Sequence, residues 1–201
     1  MSTEAETARK SIGARRSPES AEAILEAAEA VLRENGHAGF SIEAVARRAR
    51  AGKPTIYRWW PSKASLLLEV YQRQKGDVAY PDTGSIEEDL FGFAKSLFSH
   101  WRQTPSGGIF RSLVAEAQSD PGAAEALAEY AAGRRANTGK IVERAKARGE
   151  VAADIDPSQI ADMVSSYAWV HLLTGRLDED DATLRAAIRV IVHGIKAQEP
   201  R

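Results

Sequence analysis

The stretch over residues 41–63, SIEAVARRARAGKPTIYRWWPSK, constrains this chain more than any other. Ser41 is a hydroxyl N-cap, able to accept from an orphan N–H of a first helical turn. Ile42, Val45, Ala46 and Ala49 recur at steps of three and four, so one face of a short helix is apolar and Arg47 and Arg48 fall off it. Gly52 breaks the run and gives the backbone freedom to turn. Pro54 suits the first turn of a second helix, where its missing N–H costs nothing. Pro61 stops that helix after about two turns, and Ser62 can cap a third.

Two short helices joined by a tight turn form a helix-turn-helix, whose second helix lies in the major groove of DNA. The charge pattern agrees. Residues 44–68 contain no acidic side chain, while Arg47, Arg48, Arg50, Lys53, Arg58 and Lys63 alternate with Tyr57, Trp59 and Trp60. A basic surface with hydroxyls and aromatics suits phosphate contact. Thr55 and Tyr57 are the leading candidates for groove and phosphate contact. Lys53, near the start of the recognition helix, can reach a guanine. Lys63, at the next helix N-terminus, is placed to clamp a phosphate with the free N–H groups there. Arg47, Arg48 and Arg58 read equally well as phosphate contacts or as solvated charges, and Ile56 and Trp60 read as core.

These residues carry a family resemblance. Lys53-Pro54-Thr55-Ile56-Tyr57-Arg58-Trp59-Trp60-Pro61-Ser62-Lys63, with Leu66 and Leu67, resembles the recognition-helix signature of the tetracycline-repressor (TetR) family, K-x-T-[LI]-Y-x-[HYW]-[FW]-x-[SN]-K-x-x-L. Phe40-Ser41-Ile42-Glu43-Ala44-Val45-Ala46 resembles the opening of that family's second helix. The resemblance covers about the first 65 residues. It implies a DNA-binding regulator, and it puts Trp59 where the family often has His or Tyr, near the sugar-phosphate wall. It also implies a dimer and an inducer pocket among the later helices. Arg50 departs from the pattern, since it stands in the turn where the family usually has Gly. A left-handed conformation there would strain a side-chain-bearing residue.

Composition fits one large or two small soluble domains, with 43% apolar and 27% charged residues over 201. There is no cysteine, hence no disulfide, thiol nucleophile or thiolate metal site. The polar N-terminal residues show no signal-peptide pattern, and no apolar run approaches the ~20 residues of a membrane helix, so the expected location is cytoplasmic. Residues 1–63 carry 11 Lys and Arg against 8 Asp and Glu, a net of +3, and residues 64–201 carry 16 against 20, a net of −4. A basic front and an acidic back predict that only the front meets DNA. Catalytic chemistry finds no purchase. His37, His100, His171 and His193 lie far apart without metal-ligand spacing, and no glycine-rich nucleotide motif appears. We expect no enzyme, metal or cofactor.

The whole chain reads as about nine helices, an all-α fold. We divide it into a disordered basic arm over 1–17, which reads either as a DNA-contacting arm or as a solvated tail, a three-helix DNA-binding head over 18–64, and a helical ligand-binding and dimerisation domain over 65–201. Helix signals beyond the head run over 85–102, with a Ser85/Glu88 capping box, then over 109–118, and from Asp120-Pro121 to about residue 148 with Gly133 and Gly139 as places to bend. The last two helices carry stripes at helical spacing: Ile160, Met163 and Tyr167 on one, Leu184, Ile188, Ile191 and Ile195 on the other. Such stripes can build a two-fold four-helix bundle with a second copy, which would present two heads to half-sites about 34–36 Å apart on a palindromic operator. Phe98, Trp101, Phe110, Tyr130, Tyr167 and His171 are candidates to line an effector pocket, although an aromatic at helical spacing is more often core. Glu116 and Asp120 hint at a cationic effector. The reading is therefore a homodimeric repressor released by an unknown small molecule. The alternative is a ligand-binding or scaffold dimer without DNA binding.

Overall fold

The computed structural model describes residues 17–36, 39–74 and 78–194. Residues 1–16 of the expected arm, His37 and Ile195 lie outside them. Nine α-helices and no strands make up the described residues: α1 (Pro18–Asn35), α2 (Ile42–Ala49), α3 (Lys53–Trp59), α4 (Lys63–Gln74), α5 (Ile86–Gln103), α6 (Ser106–Glu116), α7 (Pro121–Ala147), α8 (Pro157–Leu173) and α9 (Asp181–His193). None of them is long and apolar enough to cross a membrane.

Local chemistry sets most of these boundaries. Side-chain oxygens of Ser17, Ser41, Ser85, Asp120, Asp156 and Asp180 each accept from a backbone N–H of the helix they precede. Pro18, Pro121 and Pro157 occupy first-turn positions. The capping box at Ser85 is only half made. Ser85 Oγ accepts from the Glu88 N–H, but the Glu88 carboxylate turns outward to Arg185 of α9.

In the head, α1 packs on α2 and α4, and Ile24, Ala28, Phe40, Val45, Ile56, Trp60 and Leu67 share one buried core. Arg73 of α4 reaches back to Glu22 and Glu29 of α1. The other side of α4 meets α6 and α7, so this one helix belongs to the packing of both ends of the protein. Behind it, α5, α6, α7 and α8 surround a cavity, and α9 lies against α5 and α8.

Three expectations change here. The helix over 109–118 begins at Ser106, because Gly107, without a side chain, sits against the end of α5. A Cβ there would fall 2.6 Å from the Trp101 carbonyl oxygen. Helix α7 runs unbroken through Gly133 and Gly139, and Gly139 faces Pro157 of α8, whose Cβ would lie 3.6 Å from an added methyl. The apolar stripe of α9 is not all outward-facing. Leu184 and Ile188 are buried within their own chain, where α9 covers α5, and so are not available to a second copy. The residues that do stand out are Met163, Val170 and Leu173 of α8 and Val190 of α9, each about half exposed. Ile160, Tyr167 and Ile191 are partly buried against the core.

Candidate nucleic-acid interface and the cavity behind it

The turn between α2 and α3 depends on Arg50, which adopts a left-handed conformation (φ 52°, ψ 35°). Among the described residues it alone, apart from glycines, has positive φ. Its N–H closes α2 by bonding back to the last-turn carbonyls. The cost of left-handed backbone is about 1 kcal/mol or more for a residue with a Cβ, and the buried Ile42, Val45 and Ile56 on either side hold it in place. α3 then projects from the core on Ile56 and Trp60, both buried, while Trp60 donates its indole N–H to Glu69 of α4.

This anchoring leaves Lys53, Tyr57 and Arg58 exposed on α3, with Tyr57 at 46% of its full exposure, and Thr55 and Trp59 partly exposed. The side chains predicted to meet DNA therefore stand on one projecting helix and the two beside it, but their charges are not equally available. Lys53 Nζ lies 2.8 Å from Glu43. That hydrogen bond lowers the Glu43 carboxyl and raises the Lys53 ammonium relative to their ordinary values, so both stay charged. Arg48 is engaged by Glu34 at 2.6 Å. Arg58 lies over the Trp59 ring, 5.6 Å from its centroid, a cation–π contact that leaves its charge without an acidic partner among the described residues. Arg47 is exposed on α2. Lys63 is paired as well, and less exposed than Lys53 or Arg48. Its Nζ bonds Glu116 at the end of α6, 2.7 Å away, and phosphate would have to compete for it.

Behind the head lies a cavity of about 380 Å³. Trp101, Phe110 and Tyr130 line it. Phe98, Tyr167 and His171 do not. Those three form a separate stack on the other side of α8, Phe98 lying 5.3 Å from the His171 ring and 6.4 Å from that of Tyr167. Glu179 accepts from the Tyr167 hydroxyl and lies 3.0 Å from His171 Nε2, so these polar groups are committed to one another. The two acidic residues that hinted at a cationic effector are also in use, Glu116 on Lys63 and Asp120 as the cap of α7.

The cavity draws instead on residues that sequence reasoning passed over: Tyr71 of α4, Phe93 and Leu97 of α5, and Arg134 and Thr138 of α7. Tyr130, Arg134 and Thr138 sit four residues apart, a helix-face signal present in the sequence but masked by the alanines around it. Trp101 Nε1 donates to the Tyr71 hydroxyl at 3.1 Å inside this wall. Burial pushes both the Tyr71 and Tyr130 phenols above their ordinary range, so they serve as neutral hydrogen-bonding groups.

Two family models match this chain: "Bacterial regulatory proteins, tetR family" over residues 24–70 and "Tetracyclin repressor-like, C-terminal domain" over residues 80–191. The chain belongs to the TetR family. Among its relatives, the HTH-type transcriptional regulator AqdR of Rhodococcus erythropolis is 31% identical over 86% of this chain and 84% of its own. The uncharacterized HTH-type transcriptional regulator YdeS of Bacillus subtilis is 27% identical over 87% and 89%. The crystal structure of the TetR family regulator SCO0332 superposes with a TM-score of 0.69 at 29% identity, covering 89% of this chain and all of that one. FadR from Bacillus subtilis, solved in complex with stearoyl-CoA, shares the fold with a TM-score of 0.61 at 18% identity, over 87% of this chain and 99% of that one. This TetR-family chain is thus a helix-turn-helix DNA-binding regulator, and its relatives regulate transcription rather than catalyse reactions.

Proposed function

We propose that this TetR-family regulator is a homodimeric repressor that leaves a palindromic operator when a small molecule enters the cavity behind its head. The observation that carries the reading is the placement of α4. Its first residue, Lys63, stands beside the recognition helix, and Tyr71, about 12 Å further along, lines the cavity. A ligand that presses on Tyr71 acts on the same rigid helix that carries the head. If it prefers an arrangement with the wrong head spacing, DNA affinity falls by that preference, typically ~1–3 kcal/mol.

Support for the dimer comes from Met163, Val170, Leu173 and Val190, which together expose an apolar face on α8 and α9. An apolar face of this kind is where a second copy would bury its own, giving the four-helix arrangement that sets two heads for two half-sites. The DNA contacts we assign are Lys53, Thr55, Tyr57, Arg58, Trp59 and Arg47, with Lys63 once it releases Glu116. For the effector, the fold neighbour holding stearoyl-CoA shows a ligand-binding precedent in another protein. The cavity here, about 380 Å³, lies near the small end of ligand pockets and suits a much smaller molecule.

The test is selection from random-sequence duplex DNA at two salt concentrations, followed by sequencing of the tight binders. A palindromic enriched site with a steep salt dependence supports the reading. Weak, salt-independent binding without enrichment would return the chain to the scaffold alternative.

A further inference from the structure

The cavity contains one charged group that no described residue answers. Arg134 stands on α7 one turn from Tyr130 and one turn from Thr138, so all three reach the cavity from one helix face. Its guanidinium stacks over the Tyr80 ring at 5.3 Å, which fixes it without supplying a counter-charge. Its neighbour Arg135 is satisfied, bonding Asp162 of α8 at 2.7 Å on the exposed rim. No acidic side chain among the described residues pairs with Arg134. Thr138 adds a second signal. It is fully buried, it lines the same cavity, and its hydroxyl oxygen has no hydrogen-bond partner. A buried hydroxyl is normally satisfied. Apart from Ser165, Ser166 and the Arg135–Asp162 pair, the remaining wall is aromatic and aliphatic.

We propose that the cavity takes a small aromatic carboxylic acid, its ring among Phe93, Trp101, Phe110 and Trp169 and its carboxylate between Arg134 and Thr138. A guanidinium edge matches the two oxygens of one carboxylate, and the threonine hydroxyl supplies one more donor. A dianion such as a phosphate monoester fits less well, because Arg135, which also lines the cavity, is committed to Asp162, and Arg134 is left as the one unpaired positive charge among the lining residues. Burial also draws Arg134 below the usual arginine range, so its charged form is under-solvated as it stands and an anion would relieve this. The size of the cavity limits the ligand to one or two rings. The proposal rests on the reading of this cavity as the effector site.

Calorimetric titration of the full chain, without DNA, compares 2-naphthoate with 2-naphthalenemethanol, which keeps the ring system and loses the charge. The carboxylate is expected to bind at least about tenfold more tightly. Arg134→Gln should abolish that preference while the alcohol's affinity stays as it was, and Thr138→Val should reduce the preference severalfold. Equal affinities, no binding of either probe, or a preference that survives Arg134→Gln overturns the proposal, and each leaves operator recognition untouched. Naphthoate that binds with this preference, yet does not change operator affinity, upholds the ligand class and overturns release by effector.

Discussion

Lys63 Nζ lies 2.7 Å from Glu116 Oε2, so the ammonium best placed to hold a DNA phosphate is held instead by the last residue of α6. Both side chains are partly buried, at 26% and 21% exposure. Glu116→Gln should therefore tighten DNA binding severalfold at low salt. Lys63→Ala should weaken binding to all sequences alike and flatten the salt dependence by about one per subunit. In the Lys63→Ala background, Glu116→Gln should add little. Anisotropy titrations across a salt series decide it, and an equal gain in both backgrounds would reduce Glu116 to a general repelling charge.

Tyr57 tests the recognition helix without disturbing its packing, since its ring is already exposed. Tyr57→Phe keeps the ring and removes the hydroxyl. Binding to specific and random duplexes should weaken together by about 1 kcal/mol, with the thermal midpoint unchanged. A loss confined to one base sequence would instead make Tyr57 a base reader.

At the turn, Arg50→Gly should stabilise the head. Glycine accepts φ 52° without strain, although it also loosens the unfolded chain, so the gain is at most about 1 kcal/mol. Chemical denaturation reads the stability. A fall in DNA affinity measured beside it would mean that Arg50 also reaches a phosphate.

The apolar face of α8 and α9 separates two kinds of substitution. Val190→Glu, at an exposed site, should halve the particle mass in light scattering while helical content persists. Ile188→Ala, at a fully buried one, should lower stability by about 2–4 kcal/mol. A monomeric wild type, or Val190→Glu that stays dimeric, removes these helices from the interface.

The caps of α8 and α9 make the same region acid-sensitive. Asp156 accepts from the Ser158 N–H and hydroxyl, and Asp180 from the Thr183 and Ala182 N–H groups. These bonds hold both carboxyls below the usual aspartate range, led by the backbone donors of Ser158 and Thr183. A depressed folded value means the contribution is present at neutral pH and lost as pH falls through it. Thermal midpoints should drop on acidification below about pH 4. Asp180→Asn, which caps without titrating, should make that drop shallower.

What the sequence reveals depends on the range of the interaction. Ser41, Pro54, Pro61 and the alternation of Ile42, Val45, Ala46 and Ala49 are local signals, and the head's helices follow them. The start of α6 was not legible, because the reason Gly107 can be helical is a close approach to the Trp101 carbonyl, a tertiary contact. Periodicity likewise identifies the apolar face of α9 but not which neighbour it meets, so it offers Leu184 and Ile188 to a second copy although α5 covers them. In the cavity, Trp101, Phe110 and Tyr130 were visible as aromatics. Arg134 and Thr138 were not, since a charge or hydroxyl on a long helix reads as solvent-facing until α5 and α8 are in place around it.

The four tryptophans of this chain divide evenly between the head and the cavity. Trp59 and Trp60 sit edge to face in the head, and Trp101 and Trp169 belong to the cavity wall. Intrinsic emission is thereby a built-in pair of optical reporters. With Trp101 and Trp169 replaced by phenylalanine, the remaining signal follows the head alone, and with Trp59 and Trp60 replaced it follows the cavity. The order in which the two respond after rapid mixing would give the direction in which a signal travels through the molecule, with no dye attached.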